Sequence, residues 1–197
     1  MDHGVLLSII SNRISDEDVL WLIQAILQNH RTQTPGKGMP LGNLTSQFFA
    51  NAYLHELDIF VKHELGAKYY LRYVDDFVLL SRSRGELEEH QKAIARFLSD
   101  RLKLSLHSQK TRILSLCSGL TLLGLRVFYH FRLLKRSNQR RIRKRLEKFG
   151  AKLARGEISC ERVLSSFAGW EGYAKTADAY SFRTALRQSV ERMMTLN

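Results

Sequence analysis

Cysteine and proline are nearly absent from this chain, with two of each in 197 residues. Cys117 and Cys160 lie far apart and fit neither a disulfide framework nor a zinc knuckle, so they read as buried small hydrophobes in a reducing compartment. The seven histidines show no metal-ligand spacing. No apolar run is long enough to cross a bilayer, and the first one, Val5 to Ile10, is too short and lacks the basic leader of a signal peptide. A cytoplasmic location with no membrane partner is the expectation. Acid is also scarce: 19 Asp and Glu stand against 31 Lys and Arg, a formal net charge of +12 and a pI near 10. A surplus of that size implies a polyanionic partner, and nucleic acid fits better than an anionic membrane, because no long amphipathic helix carries a bulky apolar face.

What is present is enough to fold. An apolar fraction of 44% is ordinary for a globular protein, and the length allows one well-buried domain plus a small module. Ser15, with Asp16, Glu17 and Asp18 behind it, reads as a helix start, and Val19, Leu20, Leu22, Ile23, Ile26 and Leu27 give the helical stripe. Residues 29–43 hold both prolines, Pro35 and Pro40, and read as loop. A long helix follows, with Phe48, Phe49, Ala52, Tyr53, Leu57, Phe60 and Val61 on or near one face and Thr45, Ser46, Gln47, Asn51 and Asp58 on or near the other.

Ser83 with Glu86 predicts a capping box and a further helix, its buried side formed by Leu87, Ile94, Phe97, Leu98 and Leu102. Short strands are predicted at 104–106, 112–116 and 120–128, the last bent at Gly124. From Lys135 the chain turns basic and helical. The expected class is α+β, an antiparallel sheet with helices on one face, followed by an all-α module, with the division at 134/135.

The stretch that organises the rest is Tyr69-Tyr70-Leu71-Arg72-Tyr73-Val74-Asp75-Asp76-Phe77-Val78-Leu79-Leu80. Two runs of aromatic and aliphatic residues flank adjacent aspartates, as in a β-hairpin with carboxylates at its tip. Such a pair is also the composition of a plain turn. Its chemical reading is part of a two-metal site for phosphoryl transfer, which needs at least one more carboxylate facing the pair. Arg72 reads as a strand residue reaching phosphate or a neighbouring acid, and Tyr73 as a residue beneath a primer end or in the core. Trp170, beside Gly169 and Gly172, reads as a packing anchor.

Tyr73-Val74-Asp75-Asp76 resembles the Tyr-x-Asp-Asp metal-binding motif of reverse transcriptases, and three other segments agree in order. Residues 38–47 and the helix after them resemble the nucleotide- and template-contacting segment. Residues 104–113, with Lys110-Thr111, resemble the segment whose lysine lies near the incoming triphosphate. Leu122-Leu123-Gly124-Leu125 resembles the primer-grip hairpin, with basic helices in the place of the thumb.

The resemblance implies a polymerase palm over residues 1–134 and a basic helical thumb over 135–197. It further implies RNA-directed DNA synthesis from deoxynucleoside triphosphates on an RNA template and primer, with two Mg²⁺ ions held by Asp75 and Asp76. Lys110 would face the triphosphate, Pro40, Gly42, Ser46, Gln47 and Tyr73 would line the nucleotide and template site, and Arg140, Arg141, Lys144, Arg145 and Lys148 would grip the RNA–DNA hybrid. Without it, Lys110 is equally a solvated loop lysine and the basic run a solvated helix face.

Leu41-Gly42 and Ser46-Gln47 stand where many bacterial members carry Gln-Gly and Ser-Pro, a variant similar to reverse transcriptases of diversity-generating retroelements, which also suggests an accessory protein. Leu41 lacks the hydrogen-bonding groups of glutamine, which implies a looser hold on the templating base. Group II intron maturases and retron-type enzymes are the alternative within the class. Met1-Asp2-His3 resembles the end of the family's upstream segment, so the fingers and another catalytic aspartate are expected before Met1. On that reading the chain alone is close to inactive, and a catalytically incomplete RNA-binding remnant is the rival outside the enzymes.

Overall fold

The computed structural model describes residues 1–29, 34–39 and 44–195. They form helices and two small antiparallel sheets, in two compact units, Met1–Ile113 and Leu114–Asn197.

In the first unit, α1 (His3–Ser11) starts where Asp2 Oδ1 accepts the Val5 amide at 3.1 Å. α2 (Glu17–Gln28) is capped by Asp16, which accepts from the Val19 amide, one residue beyond the expected Ser15. A carboxylate there both satisfies a free amide and meets the positive end of the helix dipole. α3 (Leu44–Ile59) buries Ser46, Phe49, Tyr53 and Leu57. Two expectations are corrected on this helix: Ser46 is on the buried stripe rather than the polar face, and Phe48 is 57% exposed. Residues 46, 49, 53 and 57 recur every three or four positions, and 48 falls outside that stripe.

A two-stranded hairpin follows, β1 (Tyr69–Tyr73) with β2 (Asp76–Leu80), in register Tyr69↔Leu80 to Tyr73↔Asp76. α4 (Arg84–Leu102) is capped by Ser83, which accepts from the Glu86 amide as the capping box requires. The return bond differs, since the Glu86 carboxylate accepts from Ser81 Oγ. These elements share one core, formed by Leu6, Ile10, Ile23, Leu27, Phe49, Leu57, Val61, Ile94 and Leu98 around Tyr53. The fully buried Tyr53 hydroxyl donates to the Leu102 carbonyl and accepts the Asp2 amide, tying α1, α3 and α4 together. Burial holds its pKa above the usual tyrosine value.

The second unit opens with a meander, β3 (Leu120–Leu122), β4 (Leu125–Val127) and β5 (Arg132–Leu134), in the order β3-β4-β5. Helices α5 (Arg136–Ala154), α6 (Cys160–Ala174) and α7 (Tyr180–Thr195) follow. Trp170 is the anchor expected of it, 5.8 Å from Phe167 and 6.0 Å from Phe182 between ring centroids. The composition changes at 134/135 but the packing divides at 113/114, because Leu125 and Leu134 join Ala174 and Ala179 in one cluster.

Residues 104–106 and 112–116 are not strands, a further correction. Extended sequence becomes a strand only beside a partner, and among the described residues neither segment has one. Cys117 and Cys160 are both free and exposed, against the expectation of burial: Cys117 is the middle residue of a short 3-10 turn, Leu116–Ser118, and Cys160 is the first residue of α6.

The bend at Gly124 has two causes. Leu123 and Gly124 form a two-residue turn with φ of 50° and 78°, both positive, as a type I′ hairpin turn requires. A Cβ on Gly124 would also stand 2.7 Å from the Tyr173 hydroxyl and 3.1 Å from Asn138 Nδ2. Gly124→Ala is therefore expected to destabilise the second unit by about 1–3 kcal/mol, read as a lower urea midpoint with the slope unchanged. An unaltered midpoint would show that the turn relaxes freely.

Candidate active site

The aspartate hairpin is built around a strained turn. Between Tyr73 and Asp76 lie only Val74 and Asp75, and Val74 has φ 57°. Positive φ at the first central residue alone is the pattern of a type II′ turn, where glycine is usual. A β-branched residue there costs on the order of 1–3 kcal/mol. It persists because the surroundings hold it.

Arg72 supplies the hold. Its Nε and Nη2 donate to the two oxygens of Asp58 on α3 at 2.8 and 2.6 Å, a bidentate pair. Nη1 donates to the Val74 carbonyl at 2.9 Å and, at 3.4 Å, to Asn51 Oδ1, also on α3. The Tyr70 hydroxyl donates to Asp58 Oδ1 at 2.7 Å. Both side chains of the pair are largely covered, 11% exposed for Arg72 and 20% for Asp58. Burial by itself would push the Asp58 carboxyl up, but the Arg72 and Tyr70 hydrogen bonds and the guanidinium charge outweigh it and leave the pKa below the usual carboxylate value. Arg72 is raised by its bond to Asp58, and Tyr70 by burial and then by the same carboxylate.

Asp75 and Asp76 stand exposed at the tip, without a hydrogen-bond or ion-pair partner among the described residues. Tyr73 is cross-strand from Asp76 and 56% exposed, which sets aside the core-tyrosine reading. Two adjacent, unneutralised carboxylates suit a hard divalent ion such as Mg²⁺, which takes few protein oxygens beside water and phosphate. Among the described residues no three His, Cys, Asp or Glu side chains gather.

The remaining predicted residues are placed separately. Lys110 is exposed in a turn closed by its amide on the His107 carbonyl at 3.0 Å. Gln47 is exposed in the first turn of α3, whereas Ser46 faces the core, 6% exposed. Pro40 and Gly42, with Leu41, lie outside the described residues. Arg140, Arg141, Lys144, Arg145 and Lys148 are exposed on α5 in the second unit, with the Arg145 guanidinium 5.3 Å from the Phe149 ring centroid.

A family model for the reverse transcriptase (RNA-dependent DNA polymerase) domain matches residues 7–152, from within α1 to the last turn of α5. The chain belongs to the reverse transcriptase family. No curated protein matches it. The family gives it RNA-directed DNA polymerase chemistry in general, with a nucleic-acid template and nucleotide substrates.

For this reverse transcriptase, sequence reading found the carboxylates and left Asp58 and Asn51 without a role. The signal was available: strand alternation puts Tyr70 and Arg72 on the face shared with Phe77 and Leu79, and a guanidinium on a covered face needs a partner. Replacing Asp58 by alanine strands that guanidinium and should cost the first unit about 2 kcal/mol, measured by urea unfolding. A loss within error would mean that the pair contributes nothing net. Since the Asp58 carboxyl is held below its unfolded value of about 3.9, its contribution is complete above that pH and fades as pH falls through the folded value. The stability gap between the parent and Asp58→Asn should accordingly be full at pH 6 and narrower at pH 3; a gap that widens in acid would contradict this assignment.

Proposed function

We propose that the chain acts as the palm and thumb of a reverse transcriptase of the diversity-generating-retroelement type, extending a primer 3′-hydroxyl with deoxynucleotides on an RNA template. The observation that carries this is the pair Asp75 and Asp76, displayed without counter-charge on a strained turn that Arg72 anchors to α3. The subtype rests on Leu41-Gly42 and Ser46-Gln47 in the sequence.

In this reading Asp75 binds metal directly and Asp76 supports it. Bound divalent ions would lower the pKa of the attacking hydroxyl and steady the leaving pyrophosphate. The chain's own share is positional. Arg72 holds the Val74 carbonyl, so the carboxylates need not be reordered when nucleotide arrives. Lys110, exposed to solvent, would neutralise charge or give a proton to pyrophosphate.

Arg141 and Lys148 each stand three or four positions from both Lys144 and Arg145 on α5, which makes a continuous basic flank beside the buried Ile142 and Leu146. With Arg140 they would meet the hybrid through phosphates and 2′-hydroxyls, a recognition of A-form shape rather than sequence.

Primer extension on an RNA template tests this, run with the 197-residue chain and with the chain carrying any in-frame coding sequence found before Met1. Asp75→Ala should abolish extension and leave hybrid affinity within about twofold. Substituting Arg141, Lys144 and Lys148 by glutamine should instead weaken binding and lower the salt slope by about one per residue. If neither form extends a primer while both bind hybrid, the RNA-binding remnant takes the place of the polymerase.

A further inference from the structure

We infer that the tip of the β4–β5 hairpin is a second nucleic-acid contact, at which Tyr129 stacks on an unpaired base of a single strand. The inference rests on the family's nucleic-acid chemistry but uses residues outside the aspartate hairpin and outside α5. The link between the two strands is Phe128-Tyr129-His130-Phe131, closed by the Phe128 amide on the Phe131 carbonyl at 2.9 Å. The Phe128 and Phe131 rings stack across it, 4.5 Å between centroids and 21° from parallel. Arg126 lies over Phe128 at 5.1 Å and donates to the Ser118 carbonyl at 2.7 Å. Beneath them Gly119 has φ 76°, and a Cβ there would come within 2.7 Å of the Phe128 ring and 2.9 Å of Arg126 Nε. The base of the tip is thus closely packed and fixed.

At the apex stand the other two rings. Tyr129 is 77% exposed, and His130 meets it edge to face, with centroids 4.5 Å apart. A large aromatic ring held in water on a rigid turn loses little conformational freedom when a flat partner covers it. The surrounding charge names the partner. No Asp or Glu occurs between Asp100 and Glu147, and Arg126 and Arg132 flank the tip. A π face beside cations is the arrangement that takes a nucleobase with its phosphate. Bases inside a duplex are already stacked and cannot reach a protruding ring, so the ligand is an unpaired nucleotide.

The test measures binding of the 197-residue chain to three labelled probes: a twelve-nucleotide oligouridylate, an abasic strand of the same length, and a blunt RNA–DNA hybrid. Tyr129→Ala should weaken oligouridylate binding about tenfold with the salt slope unchanged, and Tyr129→Phe should restore it to within about twofold. Affinity for the abasic strand and the hybrid should not move. Equal affinity of the parent and Tyr129→Ala for oligouridylate overturns the inference, as does an equal loss on the abasic strand, which would make the tip a backbone contact rather than a base-stacking one. A parent that binds the hybrid through α5, with Tyr129→Ala indistinguishable from it on every probe, removes this contact alone. A parent that binds none of the three removes the polymerase reading with it.

Discussion

The bidentate bond between Arg72 and Asp58 is the constraint on which the candidate site depends. A two-stranded ribbon is marginal by itself, and this one carries a β-branched residue in the left-handed region. Arg72 lies on the strand that leads into the turn, while Asp58 and Asn51 lie two turns apart on α3. One guanidinium therefore joins the helix to the strand and the strand to the Val74 carbonyl. The pair is covered, so its attraction is little screened, and Tyr70 occupies a further lone pair of the carboxylate. The aspartates themselves take no part in that network, which leaves their oxygens available.

The second unit uses the same device with neutral groups. Its turn also begins with a branched apolar residue at positive φ, Leu123, and the Leu123 carbonyl accepts the Tyr173 hydroxyl at 3.0 Å. Asn138 at the start of α5 donates to that hydroxyl, and the Lys135 amide donates to the Gly124 carbonyl. In each unit a side chain holds the carbonyl of the turn's least comfortable residue: Arg72 of β1, itself anchored to α3, in the first, and Tyr173 of α6 in the second. The two turns resemble, in sequence, the metal-binding and primer-grip segments of reverse transcriptases. Rigidity there fits chemistry that tolerates little misplacement.

Several features were legible because they are local. The Ser83 cap, the aspartate hairpin, the Gly124 bend and the basic α5 follow from neighbouring residues. The errors share one origin. Ser46 and Phe48 exchange their expected environments because an α3 stripe of every third or fourth residue can be drawn two ways until a neighbour chooses. Strands at 104–106 and 112–116 need partners that the local pattern does not supply. Cys117 and Cys160 followed the usual burial of free thiols, which says nothing about one helical end.

The amino-acid sequence by itself determined the family and the chemistry on offer: adjacent carboxylates on a hairpin, a cationic surplus and an acid-poor second half, all properties of composition and short-range order. Only the tertiary structure decided that Asp58 belongs to Arg72, that Tyr173 closes the second turn, and that Tyr129 stands in water while Tyr53 is sealed in the core. The Arg72–Asp58, Tyr173–Leu123 and Tyr53–Leu102 bonds join residues 14, 50 and 49 positions apart in the chain. At such separations it is packing that chooses which polar groups meet, because a covered donor or acceptor must find its partner wherever the fold brings one.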